Sequence, residues 1–133
     1  MRRTGAQIVW EMLKREGVQV VFGIPGGAIM HTYHPRQEYG VRHVLMRHEQ
    51  AAGHAADGYA RITGAPALTL LHLGPGFANG LANLHNARRA FVPVVNLIGE
   101  HAAWHLPADP PLASDIELLT RWAGYWTRRS TAA

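Results

Sequence analysis

The chain has 133 residues, 47% of them hydrophobic and 17% charged, with a formal net charge of +4 and no cysteine. That length suits one domain able to bury about two-thirds of its unfolded surface; the low charge argues against a disordered tail, and the lack of thiols excludes disulfide scaffolds, thiolate metal sites and cysteine nucleophiles. The basic residues are scattered, with Arg88-Arg89 and Arg128-Arg129 the arginine pairs beyond the amino terminus, and no apolar run approaches the roughly 20 residues of a membrane span, so neither nucleic acid nor membrane is an expected partner and a reducing, cytoplasmic setting is the expected one.

Thr4 predicts an N-cap for a helix over residues 4–16, in which Ile8, Trp10, Met12 and Leu13 recur at helical spacing and after which Gly17 supplies a stop. Residues 18–22 (VQVVF) read as a strand closed by the turn 23–27 (GIPGG), and residues 28–38 as a second helix. The same grammar recurs. Residues 41–46 predict a strand and 49–63 a helix; 67–73 predict a strand, 74–76 (GPG) a loop and 77–90 a helix; 91–98 predict a fourth strand. The proline-rich stretch after Gly99 is expected to be a loop leading to a short helix over 114–122 capped by Ser114, and residues 124–129 a fifth strand. Strands alternating with helices imply right-handed crossovers, so the expected fold is α/β: one domain over residues 1–133, an open parallel sheet with helices on both faces.

In open parallel sheets ligands bind beyond the carboxyl ends of the strands, where loops deliver backbone amides and helix N-termini. Three junctions lie there: the turn 23–27, Arg47-His48-Glu49-Gln50, and residues 73–79. Each also has an ordinary structural reading, since glycines end strands, an acidic residue favours a helix start and an Asn often caps one. Gly74, Gly76 and Gly80 form G-x-G-x-x-x-G, one residue too long for a dinucleotide fingerprint, with no acidic residue near position 94 to meet a ribose. Ala52 stands where H-E-x-x-H needs its second histidine, and His101 and His105 lack a third ligand, so no metal site is expected. His31, His34, His43 and His85 have no motif around them and read as ordinary surface or core residues. The helix 49–63 carries five alanines and two internal glycines, which weaken an isolated helix and call for closely packed backbone beside it. A subunit interface, a cofactor pocket and a tight core all satisfy that demand.

The segments VVFGIPGG (20–27), RHEQAAGHAADGYARITG (47–64), GPGFAN (74–79) and PVVNLIGE (93–100), in this order, resemble the amino-terminal pyrimidine-binding domain of thiamine-diphosphate enzymes, the acetolactate synthase group above all. The resemblance covers roughly residues 4–128. It implies that Glu49 faces N1′ of the cofactor's aminopyrimidine and shares a proton with it, a general acid–base role that readies C2 of the thiazolium. It further implies that Pro25 and Gly26 contact the aminopyrimidine on one side and Gly76 and Asn79 on the other. Magnesium is expected only through a separate diphosphate-binding domain.

The sequence departs from the acetolactate synthase pattern in three ways. His72 and Leu73 stand where small hydroxyl residues are usual, and His72 resembles the pocket histidine of benzoylformate-decarboxylase-like members, which assists proton transfer; it also reads as plain strand. Ile24 replaces an aromatic in the first turn. Family members are several times longer, so a diphosphate and metal domain is expected to be absent from these 133 residues, and the pyrimidine domain itself truncated at its carboxyl end. The resemblance thus implies a pyrimidine-side domain that acts on 2-keto acids, by carboligation or decarboxylation, as a homo-oligomer or beside a partner subunit carrying the diphosphate domain. The alternative is a non-catalytic truncated or remnant domain that folds and dimerises without turnover.

Overall fold

A computed structural model describes residues 2–130. Thr4 caps α1 (Gly5–Arg15) through a capping box: its Oγ1 accepts the Gln7 amide at 3.2 Å while Gln7 Oε1 accepts the Thr4 amide at 3.0 Å. Two donors that a helix start leaves without partners are thereby satisfied. Trp10 on the inner face of α1 is fully buried, and its indole N–H donates to the Thr32 carbonyl. Gly17, at φ +84°, turns the chain into β1 (Val20–Gly23).

The helix expected over residues 28–38 is broken into three pieces: a 3-10 turn at Gly27–Ile29, one α-turn, α2 (Met30–Tyr33), and a 3-10 stretch at His34–Tyr39. Pro35 has no N–H to continue an α-ladder, which fits the switch to tighter turns. Next come β2 (Arg42–Leu45), α3 (Glu49–Thr63), β3 (Ala67–Leu71), α4 (Leu73–Arg89), β4 (Val94–Ile98) and α5 (Ile116–Ala123).

The sheet order is β2-β1-β3-β4 and every pairing is parallel, with Val21 opposite both His43 and Leu68, and Leu70 opposite Leu97. Alternate residues divide between two faces. Val21, Leu68 and Leu70 pack with Trp10, Val18, Ile29 and Val41, whereas Val20, Phe22 and Ala67 pack under Ala52, Ala56 and Ala60 of α3. Leu71 continues the second face beneath Phe77 and Leu84 of α4. Thr69, also fully buried, donates its hydroxyl to Asn96 Oδ1 at 2.6 Å, satisfying the one polar side chain of β3. The expected open parallel sheet with helices on both faces is the observed architecture.

The buried small residues of α3 find their close partners in the same chain: Ala52, Ala56 and Ala60 on β1 and β3, and Gly53 on α4. A Cβ on Gly53 would stand 3.6 Å from the Asn83 Cβ and 3.8 Å from the Gly80 carbonyl oxygen.

Three further local expectations differ from the structure. Gly74-Pro75-Gly76 is the first turn of α4 rather than a loop, since proline is tolerated where helix amides have no intrahelical partner. Asp115, not Ser114, caps α5, accepting the Leu118 amide at 2.9 Å, while Ser114 donates to the Leu112 carbonyl. Residues 124–129 form no strand. Tyr125 instead donates to the Arg88 carbonyl at 2.9 Å, Arg88 donates to the Trp122 carbonyl at 2.9 Å, and Arg129 pairs with Glu100. The segment is thus tied by side chains to the end of α4 and the loop after β4, and the outer edge of β4 pairs with no described strand. The accessible surface of 8259 Å² exceeds the roughly 6,900 Å² of a compact monomer of this mass.

Two glycines set opposite expectations for stability. A Cβ at Gly23 would lie 2.2 Å from the Leu70 carbonyl oxygen, whereas one at Gly58 inside α3 would meet nothing within 4 Å. Gly23→Ala should lower stability by about 3 kcal/mol or more through forced backbone movement. Gly58→Ala should raise it by about 0.5–1 kcal/mol through helix propensity. Urea unfolding of the two variants against wild type measures both, and equal midpoints would contradict this packing.

Candidate functional site

Glu49 is the first residue of α3, and His48 before it caps the helix by accepting the Gln50 amide on Nδ1 at 3.3 Å. The half-buried Glu49 side chain reaches across to the first turns of α4. Its Oε2 accepts from Asn79 Nδ2 at 3.1 Å, and its Oε1 would stand 3.0 Å from a Cβ on Gly76. The carboxylate therefore lies over the bare backbone of Gly76, one oxygen held and the other without a hydrogen-bond partner among the described residues. A Cβ there would push the carboxylate aside by a few tenths of an ångström.

His72 links β3 to α4. Leu73 immediately after it sits in the left-handed region at φ 58°, an arrangement rare for a residue with a side chain. That single residue reverses the chain, so α4 begins at once and the Gly76 amide donates to the His72 carbonyl at 3.0 Å. The imidazole lies against the turn after β1, where a Cβ on Gly26 would fall 2.4 Å from His72 Nδ1. Nδ1 is buried and has no hydrogen-bond partner among the described residues. Pro25 is half-buried beside Gly26 in the same turn. The structure thus brings Glu49, Gly76 and Asn79 into one contact group and Gly26 and His72 into another, and the two groups share the first turn of α4. This constellation sets a carboxylate oxygen, an imidazole and glycine backbone near one another beyond the carboxyl ends of β1 and β3.

Behind the turn lies a group that carries no sequence motif. His43 of β2 places Nε2 3.1 Å from the Gly23 carbonyl oxygen and Nδ1 2.8 Å from Tyr33 Oη. Arg36 is buried beside them, donating to Tyr33 Oη at 3.4 Å and to the Val41 carbonyl at 2.6 Å. Burial pushes the His43 pKa below the ordinary 6.5, the Gly23 carbonyl opposes that shift, and the Arg36 charge adds to it. Its partners lie 10 and 20 residues away in sequence, so no local pattern announces it.

Other features stand apart from this site. His101 and His105 face each other with ring centroids 5.6 Å apart, and His101 Nε2 donates to the Pro111 carbonyl. A cavity of about 1720 Å³ runs beside β4, lined among others by Val95, Leu97, Ile116, Thr120 and Trp126. Its size exceeds the roughly 300–1,000 Å³ of small-molecule sites, and neither Glu49 nor His72 lines it. No helix of the described residues is long and apolar enough to cross a membrane.

Residues 3–117 match the family model described as thiamine pyrophosphate enzyme, N-terminal TPP binding domain. Over 134 aligned residues the chain is 49% identical to the Mycobacterium tuberculosis H37Rv protein named "Putative acetolactate synthase large subunit IlvX", covering 97% of this chain and 25% of that one. It is 42% identical over 118 residues to acetolactate synthase large subunit IlvB1 of M. tuberculosis CDC 1551, covering 88% and 19% respectively. Among solved structures, the thiamine diphosphate-dependent 4-hydroxybenzoylformate decarboxylase of Rhodococcus jostii RHA1 superposes with a TM-score of 0.90 at 28% identity, over 97% of this chain and 24% of that one. The chain therefore spans a quarter or less of the length of these relatives.

The state of His43 has a consequence for stability. Because its folded pKa lies below the unfolded one, the unfolded chain takes up the proton first on acidification. The stability that neutral His43 contributes is therefore present above about pH 6.5 and is lost as pH falls through the folded value. Wild type should outlast His43→Gln in thermal unfolding at about pH 7.5, with the margin shrinking by about pH 5. A margin that widens on acidification would show the opposite shift.

Proposed function

The chain belongs to the thiamine pyrophosphate enzyme family, N-terminal TPP-binding domain, and from that premise we propose that it binds the aminopyrimidine of thiamine diphosphate as the pyrimidine side of an acetolactate synthase-like enzyme acting on 2-keto acids. The observation that carries the proposal is the Glu49 carboxylate, held by Asn79 on one oxygen and laid over Gly76 with the other unpartnered. A flat heterocycle needs that combination of a fixed proton acceptor and bare backbone. When bound, thiamine diphosphate supplies the acidic C2–H centre and the electron sink for 2-keto acid chemistry.

In this reading Glu49 holds and returns a proton at the pyrimidine N1′, and Asn79 fixes which carboxylate oxygen does so. Gly76 and the Pro25-Gly26 backbone form the walls against which the ring lies. His72, whose Nδ1 is buried without a partner, is placed to move a proton near the reacting end, as a decarboxylase would use it. The resemblance to both acetolactate synthases and a decarboxylase leaves carboligation and decarboxylation as two outcomes of one activation step. The diphosphate and its magnesium ion would be held by a separate domain, in a partner subunit or in the other copy of an oligomer, within a cytoplasmic enzyme.

The buried small residues of α3 give no reason for self-association, because β1, β3 and α4 of the same chain cover them. Exposed Phe91, Leu118 and Trp126 do, and they support a homo-oligomer. Sedimentation at tens of micromolar should show a dimer or larger species; a clean monomer would contradict it.

Titration of the chain with thiamine diphosphate and magnesium should give a dissociation constant weaker than the low micromolar range, because the charge-assisted contacts to the diphosphate are made elsewhere. With a compatible diphosphate domain restoring turnover, Glu49→Gln should slow exchange of the C2 proton by about 10² to 10⁴ while changing cofactor affinity much less. Equal exchange rates in variant and wild type would remove Glu49 from the mechanism. Dimers that never respond to the cofactor would instead support a non-catalytic domain.

A further inference from the structure

We infer that Arg36, Tyr33 and His43 form a one-directional hydrogen-bond relay that positions the turn at residues 24–27, with His43 as the positioning residue; this rests on the reading that the turn lines the aminopyrimidine site. The direction follows from chemistry. The Gly23 carbonyl can only accept, so His43 Nε2 carries a proton and donates to it at 3.1 Å. In the neutral ring Nδ1 is then the acceptor, filled by the Tyr33 hydroxyl at 2.8 Å. The Tyr33 oxygen in turn accepts from Arg36 Nη2 at 3.4 Å, and the Val41 carbonyl anchors Arg36 Nη1 at 2.6 Å. Each donor points the same way, an arrangement in which successive bonds polarise one another.

The relay acts on the last peptide unit before the turn. The carbonyl of Gly23 receives both His43 Nε2 and the Met46 amide, each at 3.1 Å, while the Ile24 amide on the other edge donates to the Leu70 carbonyl at 3.3 Å. Pro25 has no amide to donate, and the next main-chain bond of the turn is the Ile29 amide to the Gly26 carbonyl at 3.0 Å. The orientation in which Gly26 meets His72 is therefore set mainly at the 23–24 peptide. A space-filling side chain opposite Val21 would have needed no polar atoms. Histidine here draws the Tyr33 hydroxyl, the buried Arg36 guanidinium and the Gly23 carbonyl into one partly buried set in which every group on the line from Arg36 Nη2 to Gly23 is paired, and Arg36 Nε alone is left without a partner among the described residues. The groups that face the ring are Tyr33 and Arg36 from the helical segment and the Gly23 carbonyl from β1; no acidic side chain bonds to it among the described residues. Burial and the Arg36 charge both favour the neutral ring that the relay requires.

Nitrogen-15 NMR of the full chain tests the relay without any substitution: His43 should be neutral at pH 7 with its proton on Nε2. A cationic ring, or the proton on Nδ1, would overturn the proposal. Tyr33→Phe keeps the ring but removes the donor to Nδ1, and it should shift the amides of residues 24, 26 and 27 more than those of β4; unmoved amides would overturn the proposal. His43→Phe should displace the same amides, and His43→Gln, which can still donate to the carbonyl, should return them toward wild type. If Phe restores them as well as Gln does, His43 only fills space. Titration with thiamine diphosphate to millimolar concentration should then show dissociation constants at least threefold weaker for Tyr33→Phe and His43→Phe than for wild type; equal constants would overturn the positioning role. Wild-type turn amides that ignore the cofactor would overturn the reading of the turn as part of the site, and the tautomer result separates that failure from a failure of the relay itself.

Discussion

The ends of β1 and β3 approach so closely that no side chain fits between them, and the rest of the site depends on that contact. A Cβ on Gly23 would fall 2.2 Å from the Leu70 carbonyl oxygen, a distance no ordinary relaxation accommodates. Because glycine removes that atom, the Ile24 amide can bond to Leu70 and the turn after β1 lies beside the residue after β3. Gly26 then meets His72, and the left-handed backbone at Leu73 starts α4 without an intervening loop. Glu49 arrives from the start of α3, whose alanines pack on the sheet and whose Gly53 packs on α4. Each step leaves out a Cβ or bends a backbone so that two chain segments can share the space one side chain would take.

Such an arrangement holds its reactive groups by backbone rather than by a dense polar network. Asn79 donates to Glu49 and is itself exposed, so the carboxylate is positioned but not sealed. The denser network sits one layer back, in Arg36, Tyr33 and His43, and acts on the peptide that carries the turn. On the proposed function, a surface that must admit a ligand cannot bury its contact groups beforehand, and the network behind the turn would supply its rigidity.

Much of this was legible from residue order. The span of α3 is read directly, because Gly64 at φ 69° closes what Glu49 opens. The alternation of strands and helices gives the parallel sheet, and the glycine junctions mark its ligand-facing end. The start of α4 was not legible: Gly-Pro-Gly reads as a loop, yet Gly74 is small because a Cβ there would lie 2.2 Å from the Ser114 side chain, a tertiary fact with no local trace. Residues 124–129 have the composition of a strand, but Tyr125 stacks on Phe91 and bonds to the Arg88 carbonyl. Specific side-chain contacts outweighed β-propensity, which is weak away from a paired neighbour. His43 was invisible for the same reason, since its meaning comes from Gly23 and Tyr33.

One helix joins the two surfaces of the domain. The first turns of α4 carry Gly76 and Asn79 against Glu49, whereas its last turn, through Arg88, holds Trp122 and Tyr125 beside the cavity along β4. The chemistry-bearing end is polar and backed by hydrogen bonds; the far end exposes Phe91, Tyr125 and Trp126. Between those ends α4 is packed against both α3 and α5 of the same chain. One helix, Leu73–Arg89, therefore carries both the contact with Glu49 and the side chain that ties down the exposed aromatic segment.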